Sequence, residues 1–153
     1  MPGTFSQIYV QYVFAVKGRE NSILPPFQSE LYKYISGIIT NKGQKALAVN
    51  GMSDHVHVLV GLKPSMRISD LIRDIKNNST NFINENKFLR NKFSWQEGYG
   101  AFSYSQSGFG KVIEYIKNQK EHHKKKTFRQ EYMVFLKKFD IPFEDKYLFE
   151  FYD

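Results

Sequence analysis

The segment His55 to Val60, HVHVLV, constrains this chain most. Its alternation has the period of a β-strand, which sends His55 and His57 from one face and Val56 and Val58 from the other. Gly51 to Asp54 reads as a tight connection and Gln44 to Val49 as a strand before it, so the pair forms an antiparallel hairpin. Two imidazoles therefore leave one sheet face side by side. They can hold a divalent ion, or they can be polar residues on a solvated hairpin.

The rest of the chain supplies partners for that hairpin. Gln7 to Val16 is rich in β-branched and aromatic residues and reads as a buried strand, ended by Lys17 to Asn21 with Gly18. After Pro25 and Pro26, Phe27, Leu31, Tyr34, Ile35, Ile38 and Ile39 recur at helical spacing until Gly43. Ile68, Leu71, Ile72, Ile75, Phe82 and Ile83 mark a second helix, although Asn77 to Thr80 weaken its propensity. Asn84 to Asn91 reads as a charged loop, and Lys92 to Tyr104 as one bent or two short strands interrupted near Gly98 and Gly100. Ser107 is placed to cap a helix running through Val112, Tyr115, Ile116 and Gln119 towards His123; Phe128 opens another that ends near Asp140, before Pro142. The order is β α β β α β and then two helices, which predicts an α+β fold: a ferredoxin-like (RRM-like) antiparallel sheet with a C-terminal helical extension. The 153 residues suit a single domain over 1–153.

Charge narrows the choice of partner. Lys and Arg number 22 against 15 Asp and Glu, a formal charge of +7. The stretch from Lys111 to Lys138 contributes +6 of it. Such a concentration predicts an anionic partner. The absence of cysteine excludes thiolate nucleophiles and cysteine-based zinc sites. No apolar run is long enough for a bilayer, and the first residues lack the order of a secretory signal, so the expected location is the cytoplasm.

Tyr115 and Gln119 lie one helical turn apart, with His122 on the same side of the helix. A phenol is a weak nucleophile while protonated, but a cation-bound phosphodiester favours attack by the phenolate. A glutamine oxygen can join two imidazoles around an ion without cancelling its charge. The alternative is a tyrosine that packs its ring on the sheet. His122 and His123 can contact phosphate, support a metal or cap the helix end.

Three motifs in this order carry a family resemblance: GMSDHVHVLV at Gly51 to Val60, WQEGYGAFS at Trp95 to Ser103, and YIKNQKEHH at Tyr115 to His123. The chain resembles the single-tyrosine HUH transposases of small bacterial insertion sequences, including the repeat-associated tyrosine transposases. The resemblance makes His55 and His57 the metal-binding pair, Gln119 the third protein ligand, Mg²⁺ or Mn²⁺ the ion and Tyr115 the nucleophile. It implies cleavage and rejoining of single-stranded DNA at hairpin-bearing element ends through a 5′-phosphotyrosine intermediate. It also implies a homodimer in which residues of both subunits complete each active site, with Gly108 and Gly110 as a hinge for the tyrosine helix, and action at the bacterial nucleoid.

Candidate DNA-backbone contacts beside Tyr115 are Lys117, Lys120, His122, His123, Lys124, Lys125, Lys126 and Arg129, with Arg73 and Lys76 on the second predicted helix as another contact region. Two other functions compete. One is a non-catalytic DNA or RNA hairpin-binding module, the other a metal-dependent nuclease acting through water, which gives Tyr115 no necessary role.

Overall fold

The computed structural model describes residues 3–19 and 22–152; the last two residues of the predicted Lys17–Asn21 connection lie outside them. The elements follow the expected order: β1 (Tyr9–Ala15), α1 (Pro25–Asn41), β2 (Lys45–Gly51), β3 (His55–Gly61), α2 (Ile68–Glu85), β4 (Gly100–Tyr104), α3 (Gln106–Lys117), α4 (Gln119–His122) and α5 (Phe128–Lys138). The strands form an open four-stranded antiparallel sheet in the order β2-β3-β1-β4. The fold is mixed α+β, with helices packed against the sheet.

Strand alternation assigns the two faces. Val10, Tyr12 and Phe14 of β1 and Val56, Val58 and Val60 of β3 join Leu31, Ile35 and Ile39 of α1 and Leu71, Ile72 and Ile75 of α2 in the largest core. On the opposite face, Val13, Ala15 and Phe102 meet Phe128, Tyr132 and Leu136 of α5, while Leu59 meets Val112 and Ile116 of α3. His55, His57 and Gln11 belong to this second face and are fully buried. The solvated-hairpin reading is thereby excluded: the helices after β4 cover the histidines.

Three local expectations are corrected. The second short strand before β4 is reduced to one bridge, Val16 to Trp95. Helix α3 begins before Ser107, with Ser105 as its N-cap residue, and neither serine accepts a capping hydrogen bond. The helix carrying Tyr115 does not run on to His123: it stops at Lys117, and Asn118 (φ −99°, ψ 25°) separates it from α4. The cause of the break is tertiary. Asn50 of β2 donates through Nδ2 to the carbonyls of Ile116 and Lys117 (3.0 and 3.2 Å), filling acceptors that a continuing helix would use itself. Helix α5 starts in a capping box between Thr127 and Gln130. The aromatic tail packs back, with Phe149 and Phe151 against Phe128 and Tyr132.

Candidate active site

The pleat of β3 brings the His55 and His57 rings to 5.0 Å between centroids. Each ring is held from behind: His55 Nδ1 lies 2.6 Å from Asp54 Oδ1, and His57 Nδ1 2.7 Å from Gln11 Oε1. These acceptors place a proton on each Nδ1 and direct each Nε2 forward. Ahead of them sits Glu131 of α5, 4% exposed, with Oε1 at 3.3 Å from His55 Nε2 and 3.1 Å from His57 Nε2. Gln119 Oε1 approaches His55 Nε2 at 3.1 Å, while its Nε2 donates to Glu131 Oε2 at 3.0 Å. His123 Nε2 adds a contact to Glu131 Oε1 at 3.2 Å.

This donor set fits a divalent cation. With Nδ1 protonated, both neutral imidazoles turn lone pairs towards carboxylate and amide oxygens, so acceptor faces acceptor until a cation lies between them. His55, His57 and Glu131 each offer a ligand atom within 4.8 Å of the others. At His55 a proton can take this role. Burial pulls the His55 imidazole down, yet its hydrogen bonds to Asp54 and Glu131 together with their charges lift it to about 9. His57 stays below its ordinary value because burial outweighs the Glu131 carboxylate. Burial also works against the Glu131 anion, but the His57 charge and hydrogen bonds to His123, His55 and His57 hold its carboxyl far below the usual range.

Tyr115 reaches the same carboxylate. Its hydroxyl donates to Glu131 Oε2, and its ring lies 6.0 Å from His57 and stacks on His122 at 4.3 Å. Burial first, then the Glu131 charge and hydrogen bond, hold this phenol protonated well above the ordinary tyrosine range. Thus His55, His57, Tyr115 and Gln119 converge within one chain although Tyr115 and Gln119 stand on separate helices. Beside Tyr115 opens a cavity of about 850 Å³, lined by Lys111, Lys125, Lys126 and Lys138 around Tyr104, Val134 and Phe135, with His122 and His123 on its wall.

The other charged candidates are dispersed. Lys124 pairs with Glu121, Arg129 lies over Phe151, Lys120 lines a separate groove against α1 and β2, and Lys117 is exposed at the end of α3. Arg73 and Lys76 lie on α2, on the opposite side of the sheet from Tyr115: Arg73 pairs with Asp70 and Asp74, and Lys76 donates to the carbonyls of Gln96 and Gly98. Sequence reasoning missed Gln11, Asp54 and Glu131. Two of them left a readable signal: Gln11 is the lone polar residue in YVQYVFA, and Glu131 falls on the apolar stripe of Phe128, Tyr132 and Leu136.

Solved structures share this fold. A putative transposase from Deinococcus radiodurans R1 superposes with a TM-score of 0.63 at 22% identity, covering 78% of this chain and 95% of that one. A REP-associated tyrosine transposase bound to a REP hairpin superposes with a TM-score of 0.59 at 15% identity, covering 80% and 73% respectively. No curated protein matches the chain. The family described as "Transposase IS200 like" matches residues 4–119, which include the sheet, both histidines, Tyr115 and Gln119, and the chain belongs to that family.

Proposed function

We propose that this protein is a metal-dependent single-stranded DNA transposase that cuts and rejoins element ends through a 5′-phosphotyrosine on Tyr115. The observation that carries this reading is the convergence of the Tyr115 hydroxyl and the forward nitrogens of His55 and His57 on one carboxylate. His55, His57 and Gln119 would hold Mg²⁺ or Mn²⁺, which when bound polarises the scissile phosphate and neutralises developing charge. The phenolic oxygen of Tyr115 attacks phosphorus, the bond from phosphorus to the 3′-oxygen breaks, and the net proton transfer is from phenol to the released 3′-OH. A 3′-OH attacking the phosphotyrosine reverses these bond changes and rejoins a strand, so no nucleotide cofactor is required.

The lysines around the cavity beside Tyr115 suit a DNA backbone, with Lys117, Lys120, Lys124 and Arg129 extending the positive surface and Arg73 and Lys76 as a separate contact region. The substrate is single-stranded DNA with hairpin ends, bound in the bacterial cytoplasm at the nucleoid by a homodimer. Each protomer is one domain over 1–153, and the strand order supports the ferredoxin-like reading.

The test is incubation of the protein with single-stranded element-end DNA and Mn²⁺, followed by denaturing electrophoresis. A covalent protein–DNA species is expected from the native chain and not from Tyr115→Phe, which should still bind the hairpin. Cleavage by Tyr115→Phe through the same adduct refutes the nucleophile. Hairpin binding without any adduct from the native chain assigns it to the binding-only class.

A further inference from the structure

Helix α5 lies beyond residues 4–119, the span that matches the family, yet it contributes the most heavily contacted side chain of the site. The two oxygens of Glu131 have different neighbours. Oε1 faces Nε2 of His55, His57 and His123 at 3.1–3.3 Å. Oε2 accepts from the Tyr115 hydroxyl and from Gln119 Nε2. We propose that Glu131 couples the ion site to the nucleophile: one carboxylate oxygen joins His55 and His57 as a metal ligand, and the other positions the Tyr115 hydroxyl beside that ion.

This assignment rests on the transposase reading and adds to it a residue outside the motifs that define the family resemblance. Its physical basis is rigidity together with charge. Phe128, Tyr132 and Leu136 fix α5 in the core on the second sheet face, which holds the backbone of Glu131 beside the histidines. A buried carboxylate is retained at acceptable cost only where polar partners meet both its oxygens; here the Tyr115 hydroxyl and Gln119 Nε2 donate to Oε2, and three imidazole nitrogens face Oε1. Glu131 also explains why Tyr115 and Gln119 cooperate across the helix break at Asn118, since both bond to the same oxygen. The site thereby contains an anionic ligand that the pattern His, His and Gln lacks.

The test uses the full chain and Mn²⁺ alone, followed by calorimetry and by the electron paramagnetic resonance spectrum of the bound ion. Glu131→Gln keeps the shape of the side chain and removes its charge; Glu131→Asp keeps the charge and shortens the reach. The expected result is that Glu131→Gln loses at least about 100-fold in Mn²⁺ affinity, the upper end for groups that merely support ligands. Glu131→Asp should retain more affinity than Glu131→Gln and an altered Mn²⁺ spectrum. It should form the DNA adduct slowly, because the shorter side chain no longer holds the phenol. Lys137→Ala, exposed on the same helix, should match the native chain in every assay. A purely structural role predicts the reverse order, with the isosteric Gln variant binding Mn²⁺ as the native chain does, and that order overturns the proposal. Equal or tighter Mn²⁺ binding by Glu131→Gln does so as well. Either result leaves the transposase reading standing if the native chain still forms the adduct, whereas a native chain that binds Mn²⁺ through Glu131 but forms no adduct refutes only that reading.

Discussion

Gln11 offers a test of how the ion site is supported that avoids its forward-facing ligands. It is fully buried on β1, accepts from His57 Nδ1 at 2.7 Å and donates to Tyr104 Oη at 2.8 Å. Gln11→Leu preserves the approximate volume and removes both bonds. Tyr104 is half-buried and can turn to water, but His57 is fully buried and its Nδ1 proton is left without a partner. One such orphan costs about 1–3 kcal/mol. In a chain of this size each kcal/mol moves Tm by about 2–4 °C, so a fall of roughly 6 °C is the central expectation. The effect on metal should be separable: an imidazole freed from its rear acceptor loses its fixed tautomer and orientation, typically costing about 10–100-fold in affinity. The matched control is Tyr104→Phe, which removes the other bond of Gln11 and leaves the His57 contact in place. Thermal unfolding of both variants and Mn²⁺ calorimetry decide the matter. Both should lose stability, and only Gln11→Leu should lose metal affinity. Equal affinities for Gln11→Leu and the native chain, with stability reduced, would refute the tautomer argument.

A Cβ on Gly100 would stand 2.7 Å from Tyr132 Oη and 2.9 Å from Phe102 Cε2, so Gly100→Ala should destabilise the contact of β4 with α5 by about 1–3 kcal/mol in urea titration, and Tyr132→Phe should rescue it only in part. Burial, opposed by the charge of Glu97, pushes Lys76 down from 10.5 to about 8. The unfolded chain then holds the extra proton between these values, so native stability relative to Lys76→Met should rise with pH across that window; denaturation at several pH values checks it, and a falling difference would sink it. Chelation of divalent ions should abolish the DNA adduct while leaving hairpin binding by the lysine surface, measured by anisotropy, largely intact.

The elements that periodicity controls were legible in the sequence. HVHVLV and the isoleucine-rich spacing of α1 and α2 report burial directly, because a strand and a helix repeat their inward positions every two residues or every turn. The shared face of His55 and His57 was legible from strand alternation, whereas Tyr115, one of ten tyrosines, stood out only through its spacing to Gln119 and the family motifs around it. The break at Asn118 was not. It depends on Asn50, 68 residues away in the chain, reaching α3 carbonyls across the sheet, and nothing in YIKNQKEHH records that. Gln11 and Glu131 were visible as polar interruptions, but their partners were not, for the opposite reason. Each stands in a segment whose apolar neighbours explain the fold without it, so the one polar residue on an inward face looked like noise rather than the second half of a long-range pair.

The buried position of Glu131 also changes the meaning of the net charge. In the sequence it offsets part of the excess of lysine between Lys111 and Lys138; in the fold its carboxylate is spent inside the site, and the outer surface of that stretch is more positive than its formal tally. The two fields act on different ligands. On the proposed reading, lysines at the cavity rim would draw a phosphate backbone at long range, as exposed charges do until salt screens them. At close range a phosphodiester entering the proposed site would meet the Glu131 anion beside Tyr115, a like charge in a low-dielectric pocket where water screens little. Cations on the imidazole side remove that repulsion, and a divalent ion does so more fully than the single proton that His55 holds near neutral pH. On the proposed reading, the same carboxylate that helps to keep the Tyr115 phenol protonated would make its reactivity conditional on a bound cation. On the proposed transposase reading, a strand captured by the lysines would not be cut until the centre beneath it had been neutralised.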